Sequence, residues 1–175
     1  MKSWPSVVVP PINFDMPPLK LKSTWGESIE RIEFNSYVCG ITPYDATHLG
    51  HAATYLTFDL IHRYQILRGR HLNFVENITD VDDPLLERAK RDNVDWKVLA
   101  ESQVALFQRD MTALHILPPN LYLTVSETID LVIDGMKILK DKNLVYEIDG
   151  DIYYDISTHL NCLDRKSTRL NSSHT

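Results

Sequence analysis

Two histidines and one cysteine are the residues of this chain whose types and spacing best suit chemistry. His48 and His51 stand three positions apart in the string H-L-G-H, at the predicted start of a helix, and Cys39 ends a predicted strand just before them. Residues three apart are neighbours on a helix surface, and the first helical turn carries unpaired N–H groups and partial positive charge. The pattern would suit a bound anion such as a phosphate, to which protonated imidazoles can donate.

The same residues also allow a structural interpretation. His48 would then cap the loop, His51 would pack, and Cys39 would be a small buried hydrophobe. Gly50 lacks a Cβ atom, so a flat base or a sugar could lie against the backbone there. Residue types alone leave both interpretations open.

A strand, a loop and a helix must position these groups. Phe34, Tyr37 and Val38 form a β-favouring run that ends at C-G, and the loop that follows carries a Pro-Tyr-Asp turn signal. Apolar residues at intervals of three and four then indicate an amphipathic helix that ends near Arg68-Gly69-Arg70. This apolar stripe consists of Ala53, Leu56, Leu60, Tyr64 and Leu67.

A second buried strand is predicted from Leu72 to Val75, and strand–helix–strand implies parallel pairing. The ends of both strands should then meet at one edge of the sheet, where ligands bind in such folds. Asn77–Thr79 is therefore a plausible wall of the same pocket as Cys39. The acids Asp80, Asp82 and Asp83 suggest magnesium, but acids before Pro84 at a helix start are more simply capping residues.

The rest of the chain reads as further local elements. Helices are predicted over Pro84–Arg91 and from Trp96 to Leu114, the latter packed on Leu99, Leu106, Phe107 and Leu114. Thr124–Glu127 resembles a capping box for a helix carrying Ile129, Val132, Ile133, Met136 and Leu139. A β-hairpin with a two-residue turn is predicted from two strand-like runs, Leu144–Ile148 and Asp151–Tyr154. His159 and Cys162 look like ordinary loop residues.

Composition sets broad limits. The chain has 175 residues, 43% of them hydrophobic, a net charge of −6 and two cysteines far apart. These values predict an ordinary globular protein without a disulfide framework, and no apolar run is long enough to cross a membrane. We expect a cytoplasmic protein and, from the acidic balance, no global attraction to nucleic acid.

A resemblance to a known family rests on longer strings. H-L-G-H after C-G resembles the HIGH signature of Rossmann-type nucleotidyl-transferring synthetases, and Y-V-C-G narrows this to cysteine-activating enzymes. I-T-P-Y-D-A-T-H-L-G-H-A-A-T-Y and N-I-T-D-V-D-D-P-L-L-E-R-A resemble the cysteine ligases of mycothiol biosynthesis. Cysteinyl-tRNA synthetases usually have Pro after C-G and Arg where Ala53 stands. The likeness runs from the start of the chain to about Asp155.

The resemblance implies an α/β fold: a Rossmann-type parallel sheet forming the first half of a HIGH-motif synthetase catalytic domain, followed by the start of an inserted helical and hairpin subdomain. The expected divisions are an extended arm over 1–22, pinned by Trp4 or Phe14 or else loose, a nucleotide-binding half over 23–117, the inserted subdomain over 118–164, and a non-native tail over 165–175.

The family resemblance also implies a two-step reaction. ATP, with Mg²⁺, activates L-cysteine to cysteinyl-adenylate, and the amine of glucosaminyl-inositol captures it; tRNA is the acceptor if the chain is a cysteinyl-tRNA synthetase. The implied catalytic residues are His48 and His51. The implied ATP and adenylate contacts are Cys39, Gly40, Ile41, Thr42, His48, Gly50, His51, Thr54, Asn77, Ile78 and Thr79.

Cys39 is by resemblance also a zinc ligand. The family's other zinc ligands and its lysine-rich KMSKS loop have no counterpart in this sequence. We therefore expect an inactive, monomeric fragment. A further alternative is a non-catalytic module that kept H-L-G-H for nucleotide binding only.

Overall fold

The computed structural model describes residues 2–10, 12, 14–22, 28–29 and 35–156. The chain divides into two compact units, Met1–Thr128 and Ile129–Thr175. In the first unit, two short strands, β1 (Leu21–Lys22) and β2 (Ser28–Ile29), pair antiparallel.

A parallel sheet forms the centre of the first unit. Its strands are β3 (Asn35–Val38), β4 (Asn73–Ile78) and β5 (Leu121–Thr124), in the order β3-β4-β5. The parallel pairing of β3 with β4 confirms the prediction, and all three strands end at one edge. The predicted second strand is longer than expected, because Glu76 to Ile78 continue the ladder.

Helices α1 (Leu49–Leu67), α2 (Asp83–Asp92) and α3 (Trp96–Ala113) belong to the same unit. Asp82 is the N-cap of α2, with a proline in the first turn, and Asn93 closes that helix with a left-handed φ of 52°. Asp95 caps α3 by accepting from the N–H groups of Lys97 and Val98. The capping interpretation of Asp82 is therefore confirmed.

The amino-terminal arm is anchored by Trp4. Its indole is buried, donates from Nε1 to the Ile116 carbonyl at 2.8 Å and packs edge-on against Phe107 and Tyr122. Phe14 is exposed and plays no such part. One of the two predicted anchors is thus confirmed.

The buried face of α1 differs from the predicted apolar stripe. Leu60 is 68% exposed, whereas Asp59 and His62 are buried. Asp59 accepts from the Leu117 N–H at 2.8 Å and from Arg63 Nε at 2.6 Å. The buried face of α1 is therefore partly polar, because its polar side chains are hydrogen-bonded to other parts of the unit.

His62 is part of that polar face. Its Nε2 lies 2.9 Å from Ser36 Oγ on β3, and its ring packs on Phe74. Burial lowers the pKa of His62 to about 4, against a smaller opposing effect of Asp59. The ring is therefore neutral at physiological pH.

Strand β5 follows two prolines and was not predicted. Asn120 fixes its start, because its N–H donates to the Phe74 carbonyl at 2.7 Å and its Oδ1 accepts from the Phe74 N–H at 2.8 Å. The capping box beyond β5 is confirmed: the Thr124 N–H donates to Glu127 Oε2 at 3.0 Å, and the Glu127 N–H to Thr124 Oγ1 at 3.2 Å.

The second unit contains α4 (Ile129–Asp141) and a hairpin of β6 (Val145–Ile148) with β7 (Asp151–Tyr154). Asp149 and Gly150 form its turn with φ of 54° and 92°, which confirms the predicted two-residue turn. Tyr146 and Tyr153 stack across the hairpin. No helix among the described residues of either unit has the length and apolar character to span a membrane.

Candidate functional site

The ends of β3 and β4 meet in a backbone crossing that requires glycine. The Gly40 N–H donates to Asn77 Oδ1 at 3.0 Å. A Cβ atom built on Gly40 would lie 1.5 Å from the Asn77 carbonyl oxygen, far inside any real contact. Only glycine permits this approach. The backbones that follow β3 and β4 are therefore in direct contact at the carboxyl edge of the sheet.

The Asn77 side chain joins the parts of this edge. Its Oδ1 also accepts from the Tyr37 hydroxyl at 2.8 Å, and its Nδ2 donates to Thr79 Oγ1 at 3.2 Å. The Thr79 N–H in turn donates to the Ile41 carbonyl at 2.9 Å. The predicted proximity of the Cys39 and Asn77 strand ends is therefore present.

Not every predicted contact residue presents a side chain at this edge. Ile41 and Ile78 are buried in the core, so they offer a ligand only backbone atoms. Thr42 and Thr79 remain partly accessible. Thr42 Oγ1 lies 3.4 Å from Asp82 Oδ2, a long hydrogen bond that ties the end of β3 to the start of α2.

His48 and His51 together cap α1. Nδ1 of His48 accepts from the Gly50 N–H at 3.0 Å, and Nδ1 of His51 accepts from the His48 N–H at 3.2 Å. This is a reciprocal capping box built from imidazoles. The capping role considered as the alternative to anion binding is therefore real.

The cap also determines which nitrogen of each ring carries the proton when the imidazole is neutral. A ring nitrogen that accepts from a backbone N–H carries no proton, so each neutral imidazole holds its proton on Nε2. The rings stack at 4.0 Å between centroids, and two charges at that distance would repel. Burial, and then His48, lower the pKa of His51 below its ordinary value. The cap therefore uses one nitrogen of each ring and leaves both Nε2 atoms for other partners.

Gly50 and Thr54 continue this corner. A Cβ atom on Gly50 would lie 2.8 Å from Cε1 of His48, so the absent side chain leaves room for that ring. Thr54 is exposed one turn later, and its hydroxyl donates to the Gly50 carbonyl at 3.1 Å. Both residues border the histidine pair.

Cys39 follows β3 with an exposed side chain. Its carbonyl accepts from the Tyr55 hydroxyl at 3.1 Å, which links α1 to the strand end. Among the described residues, no three His, Cys, Asp or Glu side chains group as metal ligands. The described residues thus bring together fewer than three ligands and do not by themselves fit zinc, which takes at least three protein ligands.

The acids after Thr79 are engaged within the protein. Asp80 accepts from the Ser126 N–H at 2.9 Å and from the Ser126 hydroxyl. Asp82 accepts from the Asp83 N–H at 2.9 Å at the start of α2. These contacts support the structural interpretation of the acidic cluster over magnesium.

Two tyrosines of the site were missed in the sequence. Tyr37 contacts Asn77, and Tyr55 contacts the Cys39 carbonyl. Alternation along a strand places residues 37 and 39 on the same face, and that signal could have identified Tyr37. Tyr55 lies outside the apolar stripe of α1 and carried no comparable signal.

A parallel sheet whose strands are connected through helices is a Rossmann-type α/β fold. The agnB2 LeuRS of Agrobacterium radiobacter, solved as a ternary complex with tRNA and LeuAMS, shares this fold with a TM-score of 0.54 at 21% identity, covering 63% of this chain and 15% of the LeuRS chain. Residues 26–173 match the family described as tRNA synthetases class I (C) catalytic domain, and the chain belongs to that family.

Similar curated proteins carry the ligase name. The chain is 50% identical to L-cysteine:1D-myo-inositol 2-amino-2-deoxy-alpha-D-glucopyranoside ligase 2 of Corynebacterium jeikeium, covering 89% of this chain and 39% of the relative. The ligase of Frankia casuarinae is 46% identical, covering 90% and 35%, and that of Corynebacterium glutamicum 45%, covering 94% and 41%. The names of these relatives agree with the resemblance to cysteine ligases that the sequence motifs indicated. The chain spans about two fifths of the length of these relatives.

Proposed function

We propose that this chain is the amino-terminal part of an enzyme that joins L-cysteine to the amine of glucosaminyl-inositol at the expense of ATP. In the first step a carboxylate oxygen of cysteine attacks the α-phosphorus of ATP. The bond to the β-phosphate breaks, pyrophosphate leaves and cysteinyl-adenylate forms. In the second step the amine nitrogen attacks the acyl carbon, AMP leaves, and the extra proton on nitrogen goes to solvent.

The observation that carries this proposal is the histidine pair at the start of α1. Its two Nε2–H groups are free of the cap, which uses only the Nδ1 atoms. N–H donors fixed at a helix N-terminus stabilise negative charge that develops on phosphate oxygens, and they need no reorganisation during the reaction. We assign this role to His48 and His51.

The joined strand ends are proposed to hold the adenylate. Backbone atoms of Gly40 to Thr42 and side chains of Asn77 and Thr79 line this edge of the sheet. Asn77 is held in position by the Gly40 N–H and the Tyr37 hydroxyl. A wall fixed in this way keeps the reacting groups aligned, which is a large part of catalysis by positioning.

Cys39 is proposed as one ligand of a zinc ion whose other ligands lie outside the described residues. Zinc bound when the site is complete would favour the thiolate of cysteine over the hydroxyl of serine. No step above depends on it. ATP would bind as its Mg²⁺ complex.

The proposal also predicts that the chain alone is inactive. Pyrophosphate exchange dependent on cysteine, measured with the 175-residue chain and with the full-length protein, tests this. We expect exchange only with the full-length protein. Robust turnover by the short chain would contradict the expectation of an inactive fragment.

A matched pair of variants tests the role of His48. In the full-length protein, His48→Asn and His48→Ala should both lose adenylate formation by about a hundredfold or more, because both lack the Nε2–H donor. Only His48→Ala should also lose about 1 kcal/mol of stability, because Asn still caps a helix. Full activity of His48→Asn would show that His48 acts only as a helix cap.

A second candidate, cysteinyl-tRNA synthetase, is favoured by the description of the matched family. The two acceptors distinguish the candidates. Full-length protein loaded with labelled cysteinyl-adenylate should transfer the label to glucosaminyl-inositol and leave tRNA unlabelled. Transfer to tRNA alone would reverse the assignment.

A further inference from the structure

The loop between β3 and α1 carries the histidine pair at its far end. Its near end is fixed at Gly40 by the crossing with Asn77, and Pro43 is fully buried. Its tip, at Tyr44 and Asp45, is exposed. The position of the pair therefore depends on what holds this exposed tip.

Arg88 of α2 binds the tip from outside. Its Nη1 donates to the Tyr44 carbonyl and, at 3.0 Å, to Asp45 Oδ1. Its Nε donates to Asp92 Oδ2 at 3.2 Å, one turn later on the same helix. Asp92 thus orients the guanidinium, and the planar donors of arginine suit two acceptors at once.

Within the part of the chain that the structure describes, the other hydrogen bonds of the tip are local. The Tyr44 N–H donates to the Thr42 carbonyl at 2.8 Å, and Asp45 Oδ1 accepts from the Ala46 N–H at 2.8 Å. These bonds shape the turn without attaching it to another element. The bond between Thr47 Oγ1 and Asp110 of α3 attaches the loop just before His48.

We propose that Arg88 is a positioning residue for the histidine pair, acting through the tip at Tyr44 and Asp45; this rests on the proposed function. Arg88 touches neither the histidines nor the strand ends. It holds the loop so that both ends of the corner keep their spacing. A displacement of about 1 Å at such a corner is enough to reduce catalysis by about a hundredfold.

Arg91 supplies a matched control. It lies on the same helix and borders the same surface cavity, of about 440 Å³, as Arg88 and Tyr44. Its guanidinium binds Asp92, at 2.8 Å from Nε to Oδ1. Loss of Arg91 removes a bond to Asp92 and an electrostatic interaction with Asp45, but it removes no hydrogen bond to the loop.

Activity gives the first test. In the full-length protein, Arg88→Ala should reduce kcat for adenylate formation by about tenfold or more with an unchanged melting temperature, Arg88→Lys should recover part of that loss, and Arg91→Ala should stay within about twofold of wild type. Wild-type kcat in Arg88→Ala, or an equal loss in Arg91→Ala, would overturn the proposal.

Hydrogen exchange gives a second test that does not depend on the reaction. The amides of His48 and Gly50 donate within the cap, so their exchange reports its integrity. Both should exchange about tenfold faster in Arg88→Ala and unchanged in Arg91→Ala. Unchanged exchange in Arg88→Ala would refute the positioning role. If the full-length wild-type protein formed no adenylate while the two variants still showed this exchange pattern, only the proposed function would be contradicted.

Discussion

The two units differ in how their residues are fixed. In the first unit, Phe107, Ile78 and Glu76 are fully buried around β4. In the second unit, none of the residues of α4 is buried, and its hairpin strands are mostly exposed. Long-range packing determines the first unit, whereas local signals such as the turn at Asp149-Gly150 determine the second.

Two glycines illustrate this difference between the close packing of the first unit and the open surroundings of α4. Gly40 lies where a Cβ atom would overlap the Asn77 backbone, and Gly135 lies within α4 where a Cβ atom would meet nothing within 4 Å. The same substitution should therefore have opposite effects in the two units. Four predictions sharpen the comparison.

The largest effect should come from Gly40→Ala. The overlap with the Asn77 carbonyl cannot be relieved by rotating a side chain, so β3 and β4 must separate at their ends. We expect a loss of about 4–5 kcal/mol or failure to fold, measured by urea unfolding of the chain. A loss below about 1 kcal/mol would contradict the close crossing.

A core substitution should come next. Phe107→Ala removes a fully buried ring that contacts Trp4 and Tyr55, with an expected loss of about 3–4 kcal/mol. Its counterpart Leu131→Ala on α4 removes a side chain that is 72% exposed, with an expected change within about 0.5 kcal/mol. Equal losses in denaturant titrations would remove the contrast between the units.

The pH dependence of stability should depend on Glu76. Neither carboxylate oxygen has a partner among the described residues, and burial raises the pKa of this group from 4.5 to about 8. The folded state therefore binds the proton more tightly than the unfolded state. Its contribution is fully present below about pH 4.5 and is lost as the pH rises through about 8, at up to about 1.4 kcal/mol per pH unit.

Glu76→Gln tests this dependence, because glutamine does not titrate. Urea unfolding between pH 5 and 8 should show a falling stability for the wild type and a flatter profile for the variant. His62, with its pKa lowered to about 4, contributes stability above pH 6.5 that is lost as the pH falls toward 4. Parallel profiles for both proteins would show that Glu76 is not the cause.

The smallest effect should be stabilising. Gly135→Ala places a good helix former in open space on α4, with an expected gain of about 0.5–1 kcal/mol. A rise in the melting temperature of the chain checks it. A loss instead would mean that the position contacts something that its open surroundings do not reveal.

Local chemistry made much of the fold predictable. Asp82 before Pro84, the Thr124–Glu127 capping box and the Asp149-Gly150 turn act within a few residues, and each is present as predicted. The buried face of α1 was not predictable in this way. Asp59 and His62 are buried because Leu117 and Ser36, distant in sequence, supply their hydrogen bonds.

In the candidate site, too, the features set by local sequence were predictable and those set by three-dimensional geometry were not. H-L-G-H signalled a helix start, and the order of strand and helix brought Cys39 and Asn77 to one edge. The sequence could not show that the histidines cap the helix through Nδ1 and leave Nε2 free, because that depends on backbone geometry. It also could not show that Gly40 is fixed by the Asn77 carbonyl.

The anchoring of Trp4 has a consequence for synthesis. The indole binds a carbonyl 112 positions later in the chain, so Trp4 lacks this partner until Ile116 has been synthesised. The Trp4 anchor is therefore a long-range contact that closes the first unit late in synthesis, after the strands and helices between the two residues have been made.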